Sequence, residues 1–126
     1  MAHILVIDDD EGILSLAAET LRHSGHVVTE ASNGKDGLAS FRAAHADLVI
    51  TDLVMPVKEG IETIMELHRD FPATKIIAIS GAVHSRDYLQ LAGRLGAVQT
   101  LAKPFTAEGL LSAVNTALAS ANAVRQ

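Results

Sequence analysis

Leu48-Val49-Ile50-Thr51-Asp52-Leu53-Val54-Met55-Pro56 decides how this chain is read. Three aliphatic residues and a β-branched threonine have the length and character of a buried strand. That strand delivers Asp52 to its C-terminal end, just ahead of a loop containing proline. In open parallel α/β sheets, ligands bind outside the carboxyl ends of the strands, so partners for Asp52 are to be sought at the other strand ends. Three candidates stand there: Asp8-Asp9-Asp10 after the first apolar run, Ser80 after the fourth, and Lys103 after the fifth. Acidic cluster, aspartate, hydroxyl and lysine, in that order, make a phosphoryl-transfer set.

Working outward, Ile4-Leu5-Val6-Ile7 is a first strand that stops at the three aspartates. From Glu11 the period becomes helical, with Ile13, Leu14, Ala17 and Leu21 on one face and Ser24-Gly25 as a glycine stop. His26 to Ala31 reads as a second strand, and Ser32-Asn33-Gly34 turns into a helix that carries Leu38 and Phe41 inward and ends near His45. After Pro56, the spacing predicts a helix with Ile61, Ile64, Met65 and His68 on one face, closed by Phe71-Pro72. Lys75 to Ile79 is a fourth strand, ending at Ser80-Gly81. Tyr88, Leu91, Ala92 and Leu95 mark a fourth helix stopped by Gly96, and Val98 to Leu101 is a fifth strand. Thr106 caps a last helix built on Leu110, Leu111, Val114 and Leu118.

Five repeats of strand then helix, with short connections, imply parallel strands, right-handed crossovers and helices on both faces. The expected fold is therefore α/β, a doubly wound (βα)5 sandwich around a five-stranded parallel sheet. Residues 1–120 form the expected domain, and residues 121–126 a tail or the start of a linker.

Composition bounds the function. The chain has 126 residues, enough for one domain with a real core, and at 48% hydrophobic with only three Phe and one Tyr that core is aliphatic. Net charge is −5 and the ten basic residues are scattered, which argues against nucleic-acid binding. There is no cysteine, so neither a disulfide scaffold nor a thiolate metal site is available. No apolar run approaches the roughly 20 residues of a membrane span, and the N-terminus does not read as a signal peptide. A cytoplasmic protein without membrane contact is expected.

Carboxylates gathered at one strand end repel, by roughly 4 kcal/mol per close pair at ~4 Å and an effective dielectric near 20. A hard divalent cation relieves this, and Mg²⁺ suits a site that must leave room for a phosphate oxygen. Asp10 and Glu11 have an alternative role at the positive end of the first helix. Asp52 itself can be read as metal ligand, general base or nucleophile. Attack on phosphorus needs the phosphoryl oxygens neutralised and gripped, for which Lys103 supplies an ammonium and Ser80 a donor, with Gly81 leaving access. None of the six histidines forms a His-x-His or i, i+4 pair, so they read as surface or edge residues.

Asp8-Asp9, Asp52 in Thr-Asp-Leu-Val-Met-Pro, Ser80-Gly81 and Lys103-Pro104-Phe105 together resemble a response regulator receiver domain, the CheY-like phosphoacceptor of two-component signalling. The resemblance implies a flavodoxin-like fold and phosphorylation of Asp52 by a sensor histidine kinase or a histidine phosphotransferase. It implies Mg²⁺, with Mn²⁺ as a substitute, at a site of Asp8, Asp9, Asp52 and the Val54 backbone carbonyl, Asp9 binding directly and Asp8 mainly through water. Ser80 and Lys103 would hold the phosphoryl oxygens, and the Lys103-Pro104 bond would be cis. An unidentified output protein and homodimerisation, commonly through the fourth and fifth helices, complete the implied partners. The only enzymatic steps are self-phosphorylation and self-dephosphorylation.

Three departures bear on mechanism. Thr100 stands where receivers commonly carry a switch aromatic, so the readout is expected in backbone shifts after Ser80 and in the fourth helix, with Tyr88 as a lesser substitute. Val54 and Ala82 stand where acids or amides help orient the attacking water, which predicts a long-lived phosphoryl state. Val57 replaces a common glycine. Competing readings are a receiver fragment of a larger regulator, a phosphorylation-independent docking module, a haloacid-dehalogenase-type phosphatase using Asp8 and Asp10, and a flavodoxin-like flavin binder. The phosphatase reading leaves Asp52 idle, and the flavin reading lacks a Ser/Thr-rich phosphate loop.

Overall fold

The computed structural model describes residues 1–53, 59–81 and 85–120. Strands and helices alternate throughout: β1 (His3–Ile7), α1 (Glu11–His23), β2 (Val27–Ala31), α2 (Gly34–Ala43), β3 (Leu48–Asp52), α3 (Glu59–Asp70), β4 (Lys75–Ser80), α4 (Ser85–Leu95), β5 (Gln99–Ala102) and α5 (Ala107–Ala119). The strands form one parallel sheet in the order β2-β1-β3-β4-β5. The order reverses between β1 and β3, which makes their C-terminal ends the switch point where such sheets open a crevice.

Because side chains alternate across a strand, each central strand supplies both faces. Ile4, Val6, Leu48, Ile50, Ile77 and Ile79 pack against α1 and α5, while Leu5, Ile7, Val49, Ile76 and Ala78 pack against α2, α3 and α4. Every residue of β3 is buried, as expected of a central strand covered on both sides. Side-chain caps start three helices. Asp10 accepts from the Gly12 and Ile13 amides, Asn33 from the Asp36 amide, and Thr106 from the Gly109 amide. Gly25 and Gly96 end α1 and α4 with φ of 93° and 124°, the left-handed region where glycine avoids a Cβ clash.

The α3 face departs from the expected one. Met65 is 52% exposed and His68 is also exposed, while Gly60, Thr63, Ile64 and Leu67 are buried. The buried set is a clean i, i+3, i+4, i+7 stripe, but a glycine and a threonine contribute half of it, so hydropathy pulled the expected stripe toward the wrong side. Leu91 is likewise 40% exposed while the neighbouring Ala92 is fully buried. At the boundaries, β2 begins at Val27, α2 ends at Ala43, and β5 spans Gln99–Ala102, each within two residues of expectation.

Candidate functional site

Strand register brings the site residues level. Ile7 pairs with Thr51, Asp52 with Ile79, and Ser80 with Ala102, so Asp8, Asp52, Ser80 and Lys103 emerge together at one edge of the sheet. Asp8 is buried and doubly anchored: its amide donates to the Ala31 carbonyl at 3.1 Å and its Oδ1 accepts from the Asp10 amide at 2.9 Å. Asp8 Oδ2 has no aligned hydrogen bond among the described residues, and the Lys103 ammonium 3.0 Å away is its charge partner. Asp52 is also buried, with its Oδ2 3.3 Å from Lys103 Nζ. Asp9 is exposed.

One carboxylate oxygen from each of Asp8, Asp9 and Asp52 falls within 4.8 Å of the others. At that spacing each pair repels by roughly 3 to 4 kcal/mol for an effective dielectric near 20. Among the described residues, one ammonium, that of Lys103, is paired with Asp8 and Asp52 of the three carboxylates. A hard divalent ion fits that oxygen donor set.

Lys103 carries a raised pKa. Burial desolvates the ammonium and works the other way, but contact with the Asp8 carboxylate and the charges of Asp52 and Asp8 outweigh it. The lysine stem reaches the carboxylates past Gly81, where a Cβ would stand only 2.8 Å from Lys103 Cβ. The glycine expected to clear access therefore clears the lane of the lysine. The Lys103-Pro104 bond is cis, as the resemblance implied.

Ser80 ends β4 fully buried, and its hydroxyl has no hydrogen-bond partner among the described residues. The register brings it to the same edge, but it makes no hydrogen bond to the carboxylates. Asp10 stands apart from the cluster, because its Oδ1 accepts from the Gly12 and Ile13 amides at 2.9 and 3.1 Å. That employment also removes it from the Asp-x-Asp pair of a phosphatase. Val54, Val57 and Ala82, the tail at 121–126 and the side chain of Tyr88 lie outside what is described. Thr100 is exposed on β5.

Two supports escaped sequence reasoning. Thr51, fully buried, donates its hydroxyl to the Asp52 carbonyl at 3.1 Å. Gly60, in the first turn of α3, lies so close that a Cβ would come 2.1 Å from the Asp52 carbonyl oxygen and 2.5 Å from Leu53 Cα. The sequence reading places Gly60 in a polar turn ahead of the helix, whereas it is the second residue of α3 and packs on the Asp52 backbone. Among the histidines, His3 Nε2 meets Thr29 Oγ1 at 2.8 Å, His26 Nδ1 accepts from the Ala2 amide at 3.1 Å, and His45 stacks on Phe41.

The response regulator receiver domain model matches residues 4–115. Protein PilH of Pseudomonas aeruginosa is 34% identical over 120 residues, covering 94% of this chain and 99% of that one. Chemotaxis protein CheY of Halobacterium salinarum is 29% identical over 115 residues, covering 91% and 95%. Among solved structures, a response regulator receiver domain protein from Clostridium thermocellum superposes with a TM-score of 0.86 at 36% identity, covering 94% of each chain. None of the helices in the described residues is long and apolar enough to cross a membrane.

Proposed function

The chain belongs to the response regulator receiver domain family, and on that premise we propose that it is a phosphoacceptor switch acting through Asp52. A carboxylate oxygen of Asp52 attacks the phosphorus of a phosphohistidine on a kinase or histidine phosphotransferase. The new P–O bond makes an acyl phosphate as the P–N bond breaks, and the released imidazole regains its proton from solvent. Lys103, already between Asp8 and Asp52, meets the transferred phosphoryl oxygens, and the buried Ser80 hydroxyl supplies a second donor to them. The observation that carries this reading is the placement of a buried Asp52 within 3.3 Å of the Lys103 ammonium and 4.8 Å of two further carboxylates.

Asp9 and Asp52 would hold Mg²⁺, with Asp8 acting through water and the Val54 carbonyl completing the protein's share; Mn²⁺ is a substitute. Bound there, the ion supplies charge neutralisation for the carboxylates and the incoming phosphoryl group. The chain's own part is to keep Asp8 anchored on the Asp10 amide and Asp52 braced by Thr51 and Gly60. Output is through altered contacts with another protein in the cytoplasm rather than turnover of a substrate, either alone or as the receiver piece of a longer regulator.

The test is intact-protein mass after incubation with acetyl phosphate, with and without Mg²⁺, beside Asp52→Asn. One Mg²⁺-dependent phosphoryl adduct, missing from the variant, is expected. No adduct, even with a phosphohistidine donor, would leave a docking module that works without phosphorylation.

A further inference from the structure

Away from the carboxylate cluster, α2 and α3 lie side by side and enclose an open groove of about 720 Å³. Its two walls have opposite charge: Lys35 and Arg42 stand on α2, Glu62 and Glu66 on α3. Leu38 and Ala39 give the groove an apolar lining on the α2 side, and Met65, 52% exposed, stands one turn from Glu62 on α3. Arg42 and Glu66 already pair across the groove at 2.6 Å, and Arg42 reaches Asp70 at 3.0 Å. Lys35 and Glu62, both exposed, have no ion-pair partner among the described residues.

We infer that the α2–α3 face binds a second copy of this chain about a two-fold axis running along the two helices. The charge pattern selects that geometry. α2 and α3 both follow strands of one parallel sheet, so they run in the same direction and their first turns lie at the same end. A two-fold axis parallel to the helices sets α2 of one protomer against α3 of the other. Lys35 then faces the second copy's acidic ridge at Glu62, and Glu62 faces its Lys35, so the same unpaired charges are satisfied twice. A two-fold axis across the helices would oppose basic ridge to basic ridge and acidic to acidic, which like-charge repulsion disfavours. The chosen arrangement also covers Leu38 of α2 and Met65, which α3 turns outward when its buried stripe is Gly60, Thr63, Ile64 and Leu67. It is independent of phosphorylation at Asp52.

The experiment is sedimentation of the full chain across a concentration series, with Lys35→Glu and Glu62→Lys tested alone and mixed in equal amounts. Self-association of the unaltered chain, weakened about tenfold or more by each reversal because both symmetry-related contacts become repulsive, is expected. Mixing the two variants should restore association, since each reversed side chain then meets its opposite on the other protomer; restoration also shows that both variants fold. The inference is overturned if the unaltered chain stays monomeric throughout, whatever other partner it binds. It is equally overturned if neither reversal weakens association, or if the mixture associates no better than its components.

Discussion

Lys103 Nζ lies 3.3 Å from Asp52 Oδ2 while holding Asp8 Oδ2 at 3.0 Å, so one ammonium serves two buried carboxylates. Replacing it by methionine removes this ammonium from both, which is expected to cost about 2 kcal/mol of stability for a pair that retains some access to water. The pKa of Lys103 in the fold lies above its ordinary value. Its contribution is therefore fully present below the unfolded value near 10.4, and it is lost as pH rises through the folded one. Urea unfolding of the wild type and Lys103→Met should show a gap that is constant from pH 7 to about 10 and narrows only above that. A gap already closing near neutrality would mean that the ammonium is not what supports the two carboxylates.

Asp9 is the exposed member of the carboxylate cluster, so it gives up the least packing when changed. Without metal, Asp9→Asn should be at least as stable as the wild type, because it removes repulsion toward Asp8 and Asp52. With Mg²⁺ at about 100 times its dissociation constant, the wild type should gain about 2.7 kcal/mol, a rise on the order of 10 °C in Tm, and Asp9→Asn should gain little. The order of the two melting temperatures should thus reverse on adding the ion. Equal Mg²⁺ shifts in both proteins would take Asp9 out of the metal site.

Gly60 is where α3 rests on the backbone of Asp52. Since a Cβ there would penetrate the Asp52 carbonyl, Gly60→Ala should cost about 3 kcal/mol and move the backbone amide resonances of Asp52 and Leu53. Gly93 provides the control, being a helical glycine in α4 whose added Cβ meets nothing within 4 Å. Gly93→Ala should stabilise by up to about 1 kcal/mol. Similar effects from the two substitutions would show that helix propensity, not the approach to Asp52, governs position 60.

The strand order of charge-bearing residues was legible because parallel strands with short crossovers must end at one edge. Once β1, β3, β4 and β5 are recognised, Asp8, Asp52, Ser80 and Lys103 have nowhere else to go. What each side chain does there was only half legible. Asp10 could be read as site or cap, and the amides of Gly12 and Ile13 decide it. Gly81 was read as clearing access, but its neighbour is the Lys103 stem, a contact between elements that no local pattern encodes. The α3 face was misread for a related reason: the buried stripe includes Gly60, which packs against the Asp52 backbone, and Thr63, neither of which hydropathy marks as buried.

Ser80 separates stability from chemistry more sharply than any other position. Its hydroxyl is fully buried and makes no hydrogen bond within the described structure, a situation that costs a folded protein about 1 to 3 kcal/mol. Ser80→Ala removes the unsatisfied group with little change in volume, so the variant should unfold at the same denaturant concentration as the wild type or a higher one. If the hydroxyl is kept in order to donate to a phosphoryl oxygen, the same variant should form the Asp52 adduct more slowly by about tenfold or more, as loss of a donor aimed at developing charge does. Paired urea titrations and adduct time courses by mass spectrometry measure both. Loss of stability with an unchanged rate of adduct formation would assign Ser80 to the core of β4 and leave Lys103 as the grip on the phosphoryl group.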